Sequence, residues 1–188
     1  VSGGNFYGGY SAHSADILAF CNAELANLSE RQHTYLLNPK RNGKVLPAYL
    51  IPNKKTIGLN SGHMIPQYVN NAIVTKITNL ANPISTHKID SANHCEDIVS
   101  YGSLAGLKLH KQLNLLGQLN KVKMASTLQA YAIAKQAKNG LPAYLHPQDL
   151  GHRIYSKIRQ QTKLLVPFRK DVAFDKIYKK IGMLLKTL

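Results

Sequence analysis

Between Pro83 and Pro142 the chain has no proline, and this gap constrains the fold more than any other feature. Proline removes a backbone donor and clashes with the preceding helical turn, so its absence permits one long helix. The sequence predicts such a helix from about Asp97 to Ala137, roughly 60 Å at 1.5 Å per residue. Gly102, Gly106 and Gly117 each weaken it by ~1 kcal/mol relative to alanine. Small residues such as Ser103, Ala105 and Gly106 invite close neighbours. A helix of this length and surface points to a bundle, shared between subunits.

Most of the remaining chain also reads as helix. From Ala12 to Leu37 the stripe Leu18, Cys21, Leu25, Leu28 recurs at three and four residues, on one helical face. Residues 38–62 hold three prolines and three glycines and read as a loop. A second helix is expected from Met64 to Leu80 through Ile65, Val69, Ile73 and Ile77, with Pro83 as its stop. A final pair is expected at His152–Leu165 and Asp171–Leu188, the latter striped by Phe174, Ile177, Ile181, Leu184 and Leu188. The pentapeptide LPAYL stands at 46–50 and again at 141–145. One short duplication is no repeat architecture, and the two copies read as similar loop exits.

Composition narrows the function classes. At 44% hydrophobic over 188 residues the chain can bury a core. No apolar run approaches the ~20 residues that cross a bilayer, and the first residues carry no basic start and apolar segment of a signal peptide. Two cysteines, Cys21 and Cys95, suit a reducing cytoplasm as free thiols. The net charge of +15 concentrates toward the end, where Arg153 to Lys186 supplies ten Lys and Arg against Asp171 and Asp175. No finger, RNA-binding strand or phosphate loop accompanies it, so a solvated basic helical end is favoured over nucleic-acid binding. A non-enzymatic basic helical module binding nucleic acid or an acidic partner is the alternative of another class.

The acid-poor chain nevertheless sets Glu96 and Asp97 side by side in SANHCEDIVSYG, residues 91–102. A zinc site from His87, His94, Cys95 and Glu96 is disfavoured, because His94 and Cys95 are adjacent and no CxxC or HxxxH occurs. Cys95 reads as a small buried hydrophobe. Adjacent helical residues point ~100° apart, so the two carboxylates cannot face each other as a dyad. Glu96 is expected to face a cleft and Asp97 to serve the dipole at the start of the long helix.

The segments SGGNFYGG, LSERQ, LPAYL, GLNSGHMIPQ, NP and SANHCEDIVSYG occur in an order and spacing that resembles the aromatic amino-acid ammonia-lyases. The resemblance extends over nearly the whole chain. It implies an all-α, elongated helical bundle, the C-terminal portion of the ammonia-lyase (fumarase/aspartase-like) fold. Residues 1–150 would form the long-helix bundle with active-site loops, and 151–188 the basic terminal helices. It also implies a homotetramer around a common bundle and an electrophile, methylidene-imidazolone, cyclised from an internal Ala-Ser-Gly. This chain has no Ala-Ser-Gly. Val1-Ser2-Gly3 and Asn60-Ser61-Gly62 match other loop segments, so the cofactor tripeptide is expected upstream of Val1 and the chain alone is expected to be inactive.

Residue by residue, the resemblance places Glu96 where histidine lyases carry a glutamate near the substrate, as base or amine-binding group. Phe6 falls on a pocket phenylalanine after the Gly-Gly-Asn turn, and Met64 on a pocket position that is methionine in histidine lyases. Both discriminating positions, Glu96 and Met64, lean toward histidine, converted to urocanate and ammonia. FYGGY lacks the usual acidic residue after the turn, and STHKIDSANHC departs from the histidine-lyase version. Tyrosine or phenylalanine as substrate is therefore the second reading.

Overall fold

A computed structural model describes residues 3–4, 6–136, 150–162 and 167–185, without the side chains of 150–152, 161 and 162. Among them are five α-helices: α1 (Gly9–Leu37), α2 (Met64–Asn79), α3 (Gly102–Gln136), α4 (Leu150–Thr162) and α5 (Phe174–Leu185). Two short 3₁₀ turns, Ala48–Leu50 and Lys54–Thr56, punctuate the α1–α2 connection. The described residues include no β-strand, only the isolated bridges Ile57–Asn60 and Ser91–Glu96. Two compact units are present. The first comprises residues 1–28 and 72–119, and the second residues 29–71 and 120–188.

In the first unit the predicted apolar stripe of α1 proves to be the wrong face for the core. Leu18, Cys21, Leu25 and Leu28 are exposed, whereas Ala12, Ala15, Ala19, Ala23 and Ala26 are buried. Ala12 and Ala15 pack against Ala105 of α3, and methyl-sized side chains allow the two backbones to come close. Close packing thus selects the smallest residues, not the most hydrophobic. Ala105 meets the expectation of a close neighbour; Ser103 and Gly106 are exposed and do not. A helix apolar on several sides is typical of one that is covered in a larger body. In α2, Ile73 and Ile77 are buried as predicted, while Ile65 and Val69 are exposed.

The long helix is real but starts at Gly102, five residues later than predicted. The reason lies in the backbone before it. Ala92, Asn93, His94 and Tyr101 all have positive φ, and Ser91 and Glu96 exchange backbone hydrogen bonds of 2.9 and 3.2 Å. A chain folded back on itself in this way cannot be α-helical.

The second unit holds the larger core. Ala125, Leu128 and Ala132 of α3 pack with Tyr155 and Ile158 of α4 and with Ile177, Ile181 and Leu184 of α5. The α5 stripe is therefore borne out, apart from Leu188, which lies outside the described residues, as does the second LPAYL. Gln129 ties the unit's loops together. Its amide donates to the carbonyls of Leu50 and Phe168 (3.0 and 3.1 Å) and accepts the Phe168 N–H at 2.7 Å.

The turn before α2 is clamped from α5's approach. Ser61 and Gly62 donate their N–H groups to the two oxygens of Asp171, at 2.8 and 2.9 Å. Gly62 has φ +56°, and a β-carbon there would lie 2.5 Å from the Tyr49 carbonyl oxygen. Gly62→Ala is expected to cost at least ~2 kcal/mol in a thermal melt, since left-handed strain of 1–2 kcal/mol adds to the collision. An unchanged melting temperature would show that the turn can relax freely.

Candidate functional site

Phe6 and Glu96 both belong to the first unit, and the chain brings their segments together at a contact between glycines. A β-carbon on Gly102 would stand 3.0 Å from the Gly8 carbonyl oxygen, and one on Gly8 would stand 3.0 Å from the Ser100 hydroxyl. Gly8 also begins α1, its carbonyl accepting the Ala12 N–H at 3.0 Å. The arm bearing Phe6 therefore enters α1 where the loop bearing Glu96 enters α3. Phe6 is 91% exposed, so it is not core within this chain.

The Glu96 loop is a narrow excursion. Ile89 accepts the Val99 N–H at 3.1 Å, Ser91 and Glu96 pair as described, and Ala92 to His94 form its left-handed tip. Glu96 is exposed, and its carboxylate accepts the Ser91 hydroxyl at 3.1 Å. At the tip, His94 pairs with Asp90. Two expectations fail here. Asp97 lies five residues before the first residue of α3, too far to serve that helix's dipole, and Cys95 is exposed, not buried. Among the described residues no three His, Cys, Asp or Glu gather as metal ligands, and no helix is long and apolar enough to cross a membrane.

At its base the loop is anchored by groups that the sequence alone did not single out. Asp16, on the buried alanine face of α1, accepts the N–H groups of Ile84 and Ser85 through one oxygen, each at 2.8 Å. Its other oxygen accepts from the Lys108 ammonium of α3 at 2.5 Å, and Lys108 also donates to the Asn82 carbonyl at 2.5 Å. Burial pushes the Asp16 carboxyl upward, but Lys108 and the loop amides outweigh it and hold the pKa at about 2. An acid among alanines spaced three and four apart was the available signal.

Met64 belongs to the second unit, half-buried as the first residue of α2. Beside it the structure reveals a buried polar cluster. Ser126 of α3 lies 2.7 Å from His33 Nε2 and 2.9 Å from His63 Nδ1. His33 and Ser126 are fully buried and His63 nearly so. The His63 ring meets Phe174 edge to face at 4.9 Å. Burial depresses both imidazoles, His33 to about 4 and His63 to about 3, with His33 adding to the effect on His63. Both are therefore neutral at pH 7. One hydroxyl can donate to one imidazole nitrogen and accept from the other, so these two contacts need no charge. His33 Nδ1 and His63 Nε2 are buried without a hydrogen-bond partner among the described residues.

The Asn60-Ser61-Gly62 turn is held in place by its hydrogen bonds. Its two amides are committed to Asp171 and its glycine to a left-handed bend. What these residues present is an exposed carboxylate on an anchored loop beside an exposed aromatic arm. Such a set can position a substrate or move a proton.

Comparison with known proteins identifies the family. The family model of aromatic amino acid lyases matches residues 1–160. A histidine ammonia-lyase of Treponema denticola is 39% identical over 140 residues, 74% of this chain and 27% of that protein. One of Bacillus thuringiensis is 39% identical over 130 residues, 69% of this chain and 25% of that protein. The crystal structure of histidine ammonia-lyase from Trypanosoma cruzi superposes with a TM-score of 0.81 at 28% identity, over 100% of this chain and 34% of that one. Phenylalanine aminomutase of Pantoea agglomerans shares the fold, with a TM-score of 0.81 at 22% identity. The chain thus spans about a quarter of the length of these curated relatives, and it belongs to the aromatic amino acid lyase family.

Proposed function

We propose that this chain is the C-terminal part of a histidine ammonia-lyase, which converts L-histidine to urocanate and ammonia when the polypeptide is complete. The observation that carries the reading is the 38–39% identity to histidine ammonia-lyases over most of the chain. Among the superposed structures, the histidine ammonia-lyase is 28% identical and the tyrosine aminomutases 23–25%. In this reading Glu96 approaches the substrate amine or its β-hydrogen, Phe6 lies against the substrate ring, and Met64 lines the pocket. The methylidene-imidazolone electrophile comes from an Ala-Ser-Gly elsewhere in the longer polypeptide, as no Ala-Ser-Gly occurs in these residues. The protein works in the cytoplasm as a homotetramer. The exposed Ile17, Leu18, Phe20, Leu25 and Leu28 of α1 support an apolar face that other parts of such an assembly cover.

The test is a substrate panel with the full-length protein. Histidine is expected to yield urocanate, with phenylalanine and tyrosine turned over far more slowly. Faster release of cinnamate or coumarate would replace this reading with the phenylalanine or tyrosine one.

A further inference from the structure

We infer that Asp16 and Lys108 are positioning residues for the Glu96 loop, holding its base at a fixed place on α1 and α3. The inference rests on Glu96 acting on the substrate, as proposed above. Its own evidence is geometric. Asp16 and Lys108 are each 7% exposed, yet the pair's hydrogen bonds do not stop at each other. Four of its contacts are the Asp16–Lys108 bond itself and three bonds to backbone at residues 82, 84 and 85. Those residues are where the chain leaves α2 and begins the excursion that carries Glu96.

A buried ion pair is a poor way to gain stability, because removing two charges from water offsets most of their attraction. It is a good way to fix one geometry, since each charge is satisfied only when the loop amides and the Asn82 carbonyl are in place. The local structure transmits that placement. The turn continues through the His87 N–H to the Ile84 carbonyl at 3.0 Å, then into the rungs at Ile89–Val99 and Ser91–Glu96. The loop's far end is fixed separately, at the close approach of Gly102 to Gly8. Only the Asp16 end can be released without altering backbone sterics. With that end free, Glu96 would sample positions set by one anchor instead of two.

The experiment uses the full-length protein with Asp16→Asn, Lys108→Met and Lys108→Arg, read by steady-state kinetics, thermal melts and backbone hydrogen exchange. Asp16→Asn and Lys108→Met are expected to lower kcat by about 10- to 100-fold with a smaller change in KM, the scale of misplacing a reacting group by about an ångström. Exchange at 84–99 should accelerate while α1 and α3 stay protected. Lys108→Arg keeps the charge and the reach, and should recover most of the activity. The inference is overturned if the variants unfold, if lost activity only follows lost folded protein, or if exchange at 84–99 is unchanged. Should the wild-type protein fail to deaminate histidine, the substrate reading falls while the exchange measurement still decides whether Asp16 anchors this loop.

Discussion

Glu96→Gln in the full-length protein is expected to lower turnover by ~10²–10⁴-fold, the usual worth of a positioned acid–base group, with little change in melting temperature. The small stability cost follows from the structure. Glu96 is exposed, and glutamine can still accept the Ser91 hydroxyl through its amide oxygen. The backbone pairing of residues 91 and 96 does not involve the side chain at all. A folded protein that has lost turnover would therefore mark a chemical role. Asp97→Asn is the matched control. Asp97 stands beside Glu96 but caps no helix, so both its kinetic and thermal effects should be slight. Wild-type turnover in the Glu96→Gln protein would leave the carboxylate as a loop-fastening group only.

Acid is expected to destabilise the protein well before its carboxylates titrate, through His33 and His63. Both imidazoles have folded pKa values below the ordinary 6.5, at about 4 and about 3. Below pH 6.5 the unfolded chain binds protons that the folded chain refuses, so stability falls with pH across that window. Stability from the buried neutral forms is complete above pH 6.5 and is lost progressively as pH falls toward the folded values. At pH 4.5 each imidazole accounts for roughly 2–3 kcal/mol at 1.36 kcal/mol per pKa unit. The two are not additive, because they share the Ser126 hydroxyl and His33 already opposes charge on His63. Asp16 adds a distinct loss only between about pH 4 and 2, since its depressed carboxylate favours the folded state above its unfolded pKa. Denaturant melts at pH 7, 5.5 and 4.5, on wild type and on His33→Gln/His63→Gln, test this. The double variant should be less stable at pH 7 but show a clearly flatter decline. An identical decline would place the acid sensitivity elsewhere.

The helices and the family were legible in the sequence because both are written in local signals. Proline spacing left room for α3, the three-and-four recurrence of Ile177, Ile181 and Leu184 marked the buried side of α5, and the short motifs around Phe6 and Glu96 carried the resemblance. Periodicity could not say which of two faces of α1 would be buried. That choice depends on how closely α3 approaches, and the approach selects Ala12 and Ala15 over Leu18 and Leu25. Nor could it foresee that left-handed residues at 92–94 and 101 would delay α3 and strip Asp97 of its capping role, since those angles are fixed by pairing across the loop. The Asp16–Lys108 anchor and the His33–Ser126–His63 cluster join residues 92, 93 and 63 positions apart, and each lies among unremarkable neighbours in the chain. Sequence alone determined what the segments are. Tertiary structure decided which polar groups meet out of water, because burial is a property of the packed whole and not of any one segment.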